Sequence, residues 1–245
     1  MNARRRIWFS ALLLVLLVPI VTSTAADTSV EARLSTLERA ITTAPEDLRL
    51  CADYRQQIIA AGQFDRSIRL LERLTSRPGA GPHAYLSLAL AYVDKVPVAS
   101  PFRRIFLGRD ALNAASASIA RQPSPVAYYV RGLVSLYLPE ALFHRLDPGV
   151  ADLERVRDVM ITQPLQAVHA RVYVSLGDGY WKIHQLSKAI AIWTDGLRTF
   201  PDNPDLRGRI ANTGANLDRI VERSLDPARR VDTSLQDLFA EASAP

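Results

Sequence analysis

Residues 173–201 read YVSLGDGYWKIHQLSKAIAIWTDGLRTFP, and the placing of small and aromatic side chains in this stretch decides the fold. Gly177 and Ala189 are small where two antiparallel helices would cross, and only a minimal side chain lets the backbones approach there. Tyr173, Leu176, Tyr180 and Trp193 stand at the spacing that fills the space beside such a crossing, and Pro201 ends the second helix. The stretch therefore predicts one complete helical hairpin.

Working upstream, Ala89 and Tyr92 repeat the spacing of Gly177 and Tyr180, and Ala111, Ala115, Ser118 and Pro123 repeat that of Ala189, Trp193, Gly196 and Pro201. The interval from Ala89 to Ala111 exceeds that from Gly177 to Ala189 by ten residues, which places an insertion in the turn, within residues 94–108, where Pro97 and Pro101 stop the first helix from running on. An earlier unit is read from Tyr54 and Ile58, the turn at Gly62, Gln63 and Phe64, and then Ser67, Leu71, Leu74 and Pro78. Arg55 stands there where a small residue is expected. A further unit lies between Val126 and Pro164, with Tyr128, Tyr129, Gly132 and Tyr137 in its first helix and Leu153, Val156, Val159 and Met160 in its second, and with added residues at 139–149. Leu34, Leu37, Ala40, Ile41 and Pro45 form an amino-terminal lid, and Leu206, Ile210, Leu217, Ile220 and Val221 a single capping helix. Val231, Leu235, Leu238 and Phe239 make one apolar cluster at the end, read as a short helix on the stack or as a free tail.

The pattern resembles the tetratricopeptide-repeat superfamily over residues 34–221, with one clear unit and two or three degenerate ones. The resemblance implies an all-α fold, a right-handed α-α superhelix of stacked antiparallel helix pairs, whose first helices line a concave groove that holds a peptide or partner protein. In the clear unit the groove-facing positions are Arg171, Val174, Asp178, Trp181 and Lys182. Trp181 can grip an apolar side chain while Asp178 and Lys182 orient a polar backbone or a terminal carboxylate; the alternative is that Trp181 packs on the next repeat and the charges pair with neighbours. The same face gives His83, Leu86, Leu90, Val93 and Asp94 in one unit and Tyr129, Leu133, Leu136 and Tyr137 in another. Such a face is too apolar for water, so either it binds an apolar partner or the inserted segments 95–108 and 138–149 fold back and fill it. Arg131 is a candidate for a partner's carboxylate, or for pairing within the fold with Asp152 or Glu154.

The first residues fall outside the repeats. Arg4, Arg5 and Arg6 precede an apolar run over 7–21, and Ser23, Thr24, Ala25 and Ala26 offer small residues to a peptidase. This reads as a secretory signal over residues 1–26, with an uncleaved inner-membrane anchor as its rival. The run is shorter than the ~20 residues of a spanning helix. The paired arginines are also those of a twin-arginine signal, but the apolar run and the lack of a cofactor site favour the general export route. A repeat domain over 30–222 and a tail or short helix over 223–245 complete the organisation.

Composition narrows the function classes. Without the leader's three arginines the net charge falls from +5 to +2, and Arg103-Arg104 and Arg229-Arg230 are too short for the basic stripe of a nucleic-acid binder. Cys51 is the one cysteine, so no internal disulfide forms, and a small buried thiol is expected. His83, His144, His169 and His184 show no paired metal-ligand spacing, and no Gly-x-Ser-x-Gly, P-loop or Gly-x-Gly-x-x-Gly occurs. The expectation is a non-enzymatic, cofactor-free protein of the bacterial periplasm that holds a protein or peptide partner and touches a membrane only through a retained leader. The alternative is a carrier of a small apolar ligand or a cofactor such as haem.

Overall fold

The computed structural model describes residues 22–234, with side chains from residue 28 onward. All regular structure among them is helical: α1 (Thr22–Thr43), α2 (Leu48–Ala61), α3 (Phe64–Thr75), α4 (Pro82–Lys95), α5 (Pro101–Arg121), α6 (Pro125–Tyr137), α7 (Glu140–Phe143), α8 (Leu146–Met160), α9 (Ala170–Lys182), α10 (Leu186–Thr199), α11 (Pro204–Ile210) and α12 (Gly214–Ser224), with single 3-10 turns at Val96–Val98 and Ala167–His169. The leader's apolar run lies outside the described residues.

Local chemistry sets the helix starts. Proline stands in the first turn of α4, α5, α6 and α11, where the missing N–H costs nothing because that donor has no partner inside the helix. Asp47, Ser124 and Asn203 accept the Leu50, Ala127 and Leu206 amides and so cap α2, α6 and α11. Gly62 ends α2 in the left-handed region at φ 66°, with its N–H returned to the Ile58 and Ile59 carbonyls.

The helices pair as α2/α3, α4/α5, α6/α8 and α9/α10, and each first helix also touches the next in the order α2, α4, α6, α9, α11. That order makes the first helices one continuous wall. Close crossings hold the pairs together. A Cβ on Gly177 would strike the fully buried Trp193 indole, and one on Gly196 would lie 2.6 Å from Tyr173 Cβ. In α6/α8, Gly132 faces the Gly149 carbonyl and Leu153. The α2/α3 pair meets less extensively than α9/α10, in keeping with Arg55 in place of a small residue.

α1 covers the amino-terminal end. Leu34 and Ile41 are fully buried, and Arg66 of α3 ties the lid down through Glu31 and Glu38, each at 2.6 Å. Cys51 is buried, and burial pushes its thiol pKa up.

Three sequence expectations need correction. The ten added residues after α4 are not all turn: a 3-10 turn holds Pro97, and Pro101 starts α5, so most of the insertion lengthens the second helix at its amino-terminal end. Residues 206–221 form two helices, because Thr213 and Gly214, at φ 52°, break the run. Residues 230–234 form no helix, and the remainder of the expected terminal helix lies outside the described residues.

Candidate functional site

Beyond α12 the chain turns over Leu225 to Arg229 and continues without regular structure along the first-helix wall to Ser234. Side chains of four repeat units hold this strap. At its start, Tyr137 of α6 donates its hydroxyl to the Ser224 carbonyl at 2.9 Å. Midway, Arg171 of α9 pairs with Asp232, and the Arg230 guanidinium lies 5.4 Å from the Phe64 ring centroid. At its end, Arg55 of α2 donates Nη2 to the Thr233 carbonyl at 2.9 Å and Nη1 to Asp94 of α4 at 3.0 Å, while the Thr233 hydroxyl donates to the other Asp94 oxygen. Arg55, Asp94 and Thr233 are all buried.

The physical logic is that of a buried charge pair, which survives removal from water only when its remaining hydrogen-bonding capacity is also met. Asp94 has a partner for each oxygen. Arg55 leaves Nε unpaired. The strap therefore both covers the ion pair and completes it, giving Arg55 a backbone acceptor and Asp94 a hydroxyl donor.

A second buried pair stands beside the first. Asp178 of α9 accepts from Arg209 Nε and Nη2, both at 2.6 Å, and from the Ser224 hydroxyl. Burial pushes the Asp178 carboxyl upward against the pull of Arg209. Burial likewise pulls the Asp232 carboxyl up, but hydrogen bonds from Ser234 and Arg171 outweigh it and hold the pKa at about 2.

The structure brings Tyr129, Tyr137, Asp94, Arg171 and Asp178 to one region on or behind the wall the strap crosses. Tyr129 is buried, with its hydroxyl 3.4 Å from that of Ser175. Trp181 is half-buried and donates Nε1 to Asp218 of α12 at 3.1 Å. Lys182 donates to the Leu136 carbonyl, and burial lowers its pKa. Arg131 lies apart from the others, in a two-pronged pair with Asp152 at 2.7 Å for both contacts. The inserted segments do not fill the groove by themselves. They supply its edge through Val96, Pro97, Pro101 and Leu138, and the strap covers it.

Arg55, Arg209, Ser224, Asp232 and Thr233 are absent from the sequence-derived set. The one available signal is Arg55, an arginine at a position reserved for a small core side chain. No group of three or more histidine, cysteine or carboxylate side chains arranged for a metal occurs among the described residues. No helix among them is long and apolar enough to cross a membrane.

Stacked hairpins with a continuous first-helix wall define the tetratricopeptide-like helical repeat, and the chain has that fold. Among solved structures it is similar to the thermophilic tetratricopeptide protein TTC0263 of Thermus thermophilus, with 22% identity, a TM-score of 0.53, and 76% of this chain and 91% of that one covered. MamA matches with 16% identity and a TM-score of 0.49 over 72% of this chain and 86% of that chain. These likenesses concern the fold. No family model and no curated protein matches the sequence.

Proposed function

We propose that the chain is an exported, non-enzymatic interaction protein of the bacterial cell envelope that holds an extended segment of a protein partner against its first-helix wall. The fold class is one of protein-interaction scaffolds. The observation that carries the reading is the strap: the wall already holds a non-helical segment, through the bond from Arg55 to the Thr233 carbonyl and the pair of Arg171 with Asp232. Contacts of the first kind suit any extended peptide, while the apolar surface between them selects side chains. A partner segment docks along the same wall by displacing the strap or by extending from its margin at Arg171, Trp181 and Lys182. Export and residence in the periplasm, free or anchored at the inner membrane, rest on the leader, with its three arginines, apolar run and small residues at 23–26.

The test is site-specific photo-crosslinking in intact cells, with the crosslinker at Tyr137, Trp181 or, on an exposed second-helix position, Arg198. One partner captured from Tyr137 and Trp181 and not from Arg198, with more captured when the chain ends at Leu225, supports the groove. Capture from Arg198 alone, or full capture by the Trp181→Ala/Lys182→Ala variant, refutes it. Fractionation of tagged cells, with the mass of the mature chain, decides export and cleavage.

A further inference from the structure

The strap and the wall do not touch everywhere. Between α4, the lengthened start of α5, α6 and the strap lies a cavity of about 310 Å³, at the lower end of the range of small-molecule sites, which begins near ~300 Å³. Its lining is aliphatic: Leu90 and Val93 from α4, Ile105 from α5, Leu133 and Val134 from α6 and Val231 from the strap. Water is poorly held in such a space because it finds too few polar partners.

Three charged residues edge the cavity, namely Arg104, Arg229 and Asp232. Asp232 is neutralised by Arg171. Arg104 directs its donors to the Val96, Pro97 and Ala99 carbonyls, which fix the guanidinium in place and leave its charge without a carboxylate. Arg229 is exposed and has no ion-pair partner among the described residues. An aliphatic space with two uncompensated cations at its edge has the polarity of an anionic amphiphile, reversed in charge.

We propose that the cavity binds a medium-chain carboxylate, with its alkyl tail between α4, α5, α6 and Val231 and its head at Arg104 and Arg229. At roughly 30 Å³ per small group, the share of a water molecule in the liquid, the space holds a tail of about ten carbons. A partner that displaces the strap would remove Val231 and Arg229 from this site, but ligand binding is read on the chain alone, so its failure and the failure of partner capture are told apart.

The experiment is fluorescence titration of the purified mature chain with dansyl-undecanoate, followed by displacement with dodecanoate, dodecanol and dodecyltrimethylammonium. Saturable binding is expected, with dodecanoate displacing the probe about tenfold better than the other two, a difference of about 1.4 kcal/mol. Arg229→Gln reduces that preference. Leu133→Phe fills the space and weakens binding about tenfold or more; Val93→Phe on the opposite helix gives the same reading if the first variant does not fold, as judged by its thermal melt. Absence of saturable binding, equal displacement by the cationic amphiphile, or unchanged binding in both filled variants overturns the proposal. So does binding that appears only once residues 235–245 are removed, which would give the cavity to the chain's own tail.

Discussion

Arg55 and Thr233 are 178 positions apart in the chain, and the Arg55 guanidinium donates to the Thr233 carbonyl at 2.9 Å. With Asp94 between them, they fasten the end of the described chain to the first full repeat. A repeat stack ordinarily unites only neighbours. This bond adds a contact from one end to the other, and the stack should unfold more cooperatively for it.

The energetic consequence is testable at Asp94. Asp94→Asn leaves Arg55 buried without a counter-charge, and urea unfolding should show a loss of about 3–5 kcal/mol. Thr233→Val should cost about 1–3 kcal/mol, because the buried Asp94 oxygen that accepts from its hydroxyl is left without that donor. Replacing both charges, Arg55→Leu with Asp94→Leu, should cost less than the sum of the single changes, since neither charge is then stranded. Additive losses would show that the pair is not coupled.

Acid should loosen the strap. Asp232 has a folded pKa of about 2, below the ordinary carboxylate value of about 3.9. A depressed carboxylate contributes stability that is complete above its unfolded pKa and is lost as pH falls toward the folded one. Amide resonances of Asp232, Thr233 and Ser234 should therefore hold constant from neutral pH to about 4 and shift toward unbound values between about 4 and 2. In Asp232→Asn that step should vanish, and its persistence would assign the transition to another group.

Glycines offer a contrast within one fold. Gly177→Ala places a methyl group against the Trp193 indole and should destabilise by about 1–3 kcal/mol, with Trp193→Leu recovering part of the loss by making room. Gly208 in α11 has nothing within 4 Å of an added Cβ, so Gly208→Ala should raise stability by up to about 1 kcal/mol. Thermal melts of the three variants check both signs.

Ending the chain at Leu225 keeps Ser224 and the Asp178 pair but bares the apolar wall. An environment-sensitive dye such as ANS should then bind where it does not bind the intact chain. A fall in thermal midpoint should accompany it. No gain in dye binding would mean that the wall closes without the strap.

The fold was legible because its determinants are local. Gly177, Ala189 and Trp193 belong to one hairpin, and their spacing is the geometry of a single helix crossing. The same holds for the prolines that start α4, α5, α6 and α11. The lengthening of α5 was legible only as a count of extra residues, since whether an insertion becomes turn or helix depends on what its face packs against. Arg131 with Asp152 was visible as one of two pairings, being a contact between the helices of one unit.

The candidate site was legible in part. Asp94, Tyr129, Tyr137, Arg171 and Asp178 follow from the helix period, which fixes the face a residue occupies. What they touch does not follow from it. Arg209, Ser224, Asp232 and Thr233 come from the far end of the chain, and no local pattern marks them.

By itself the sequence determined that this chain is all-helical and built of hairpins, because these are short-range matters of side-chain size and the helical period. Only the tertiary structure decided that the wall is covered by the chain's own strap, that Arg55 and Asp94 form a closed pair beneath it, and that an aliphatic cavity remains alongside. Those outcomes depend on charges and carbonyls that are distant in sequence and become neighbours only after the stack has assembled. Desolvation gives them strength there, and the one-dimensional pattern carries no record of which groups will be desolvated together.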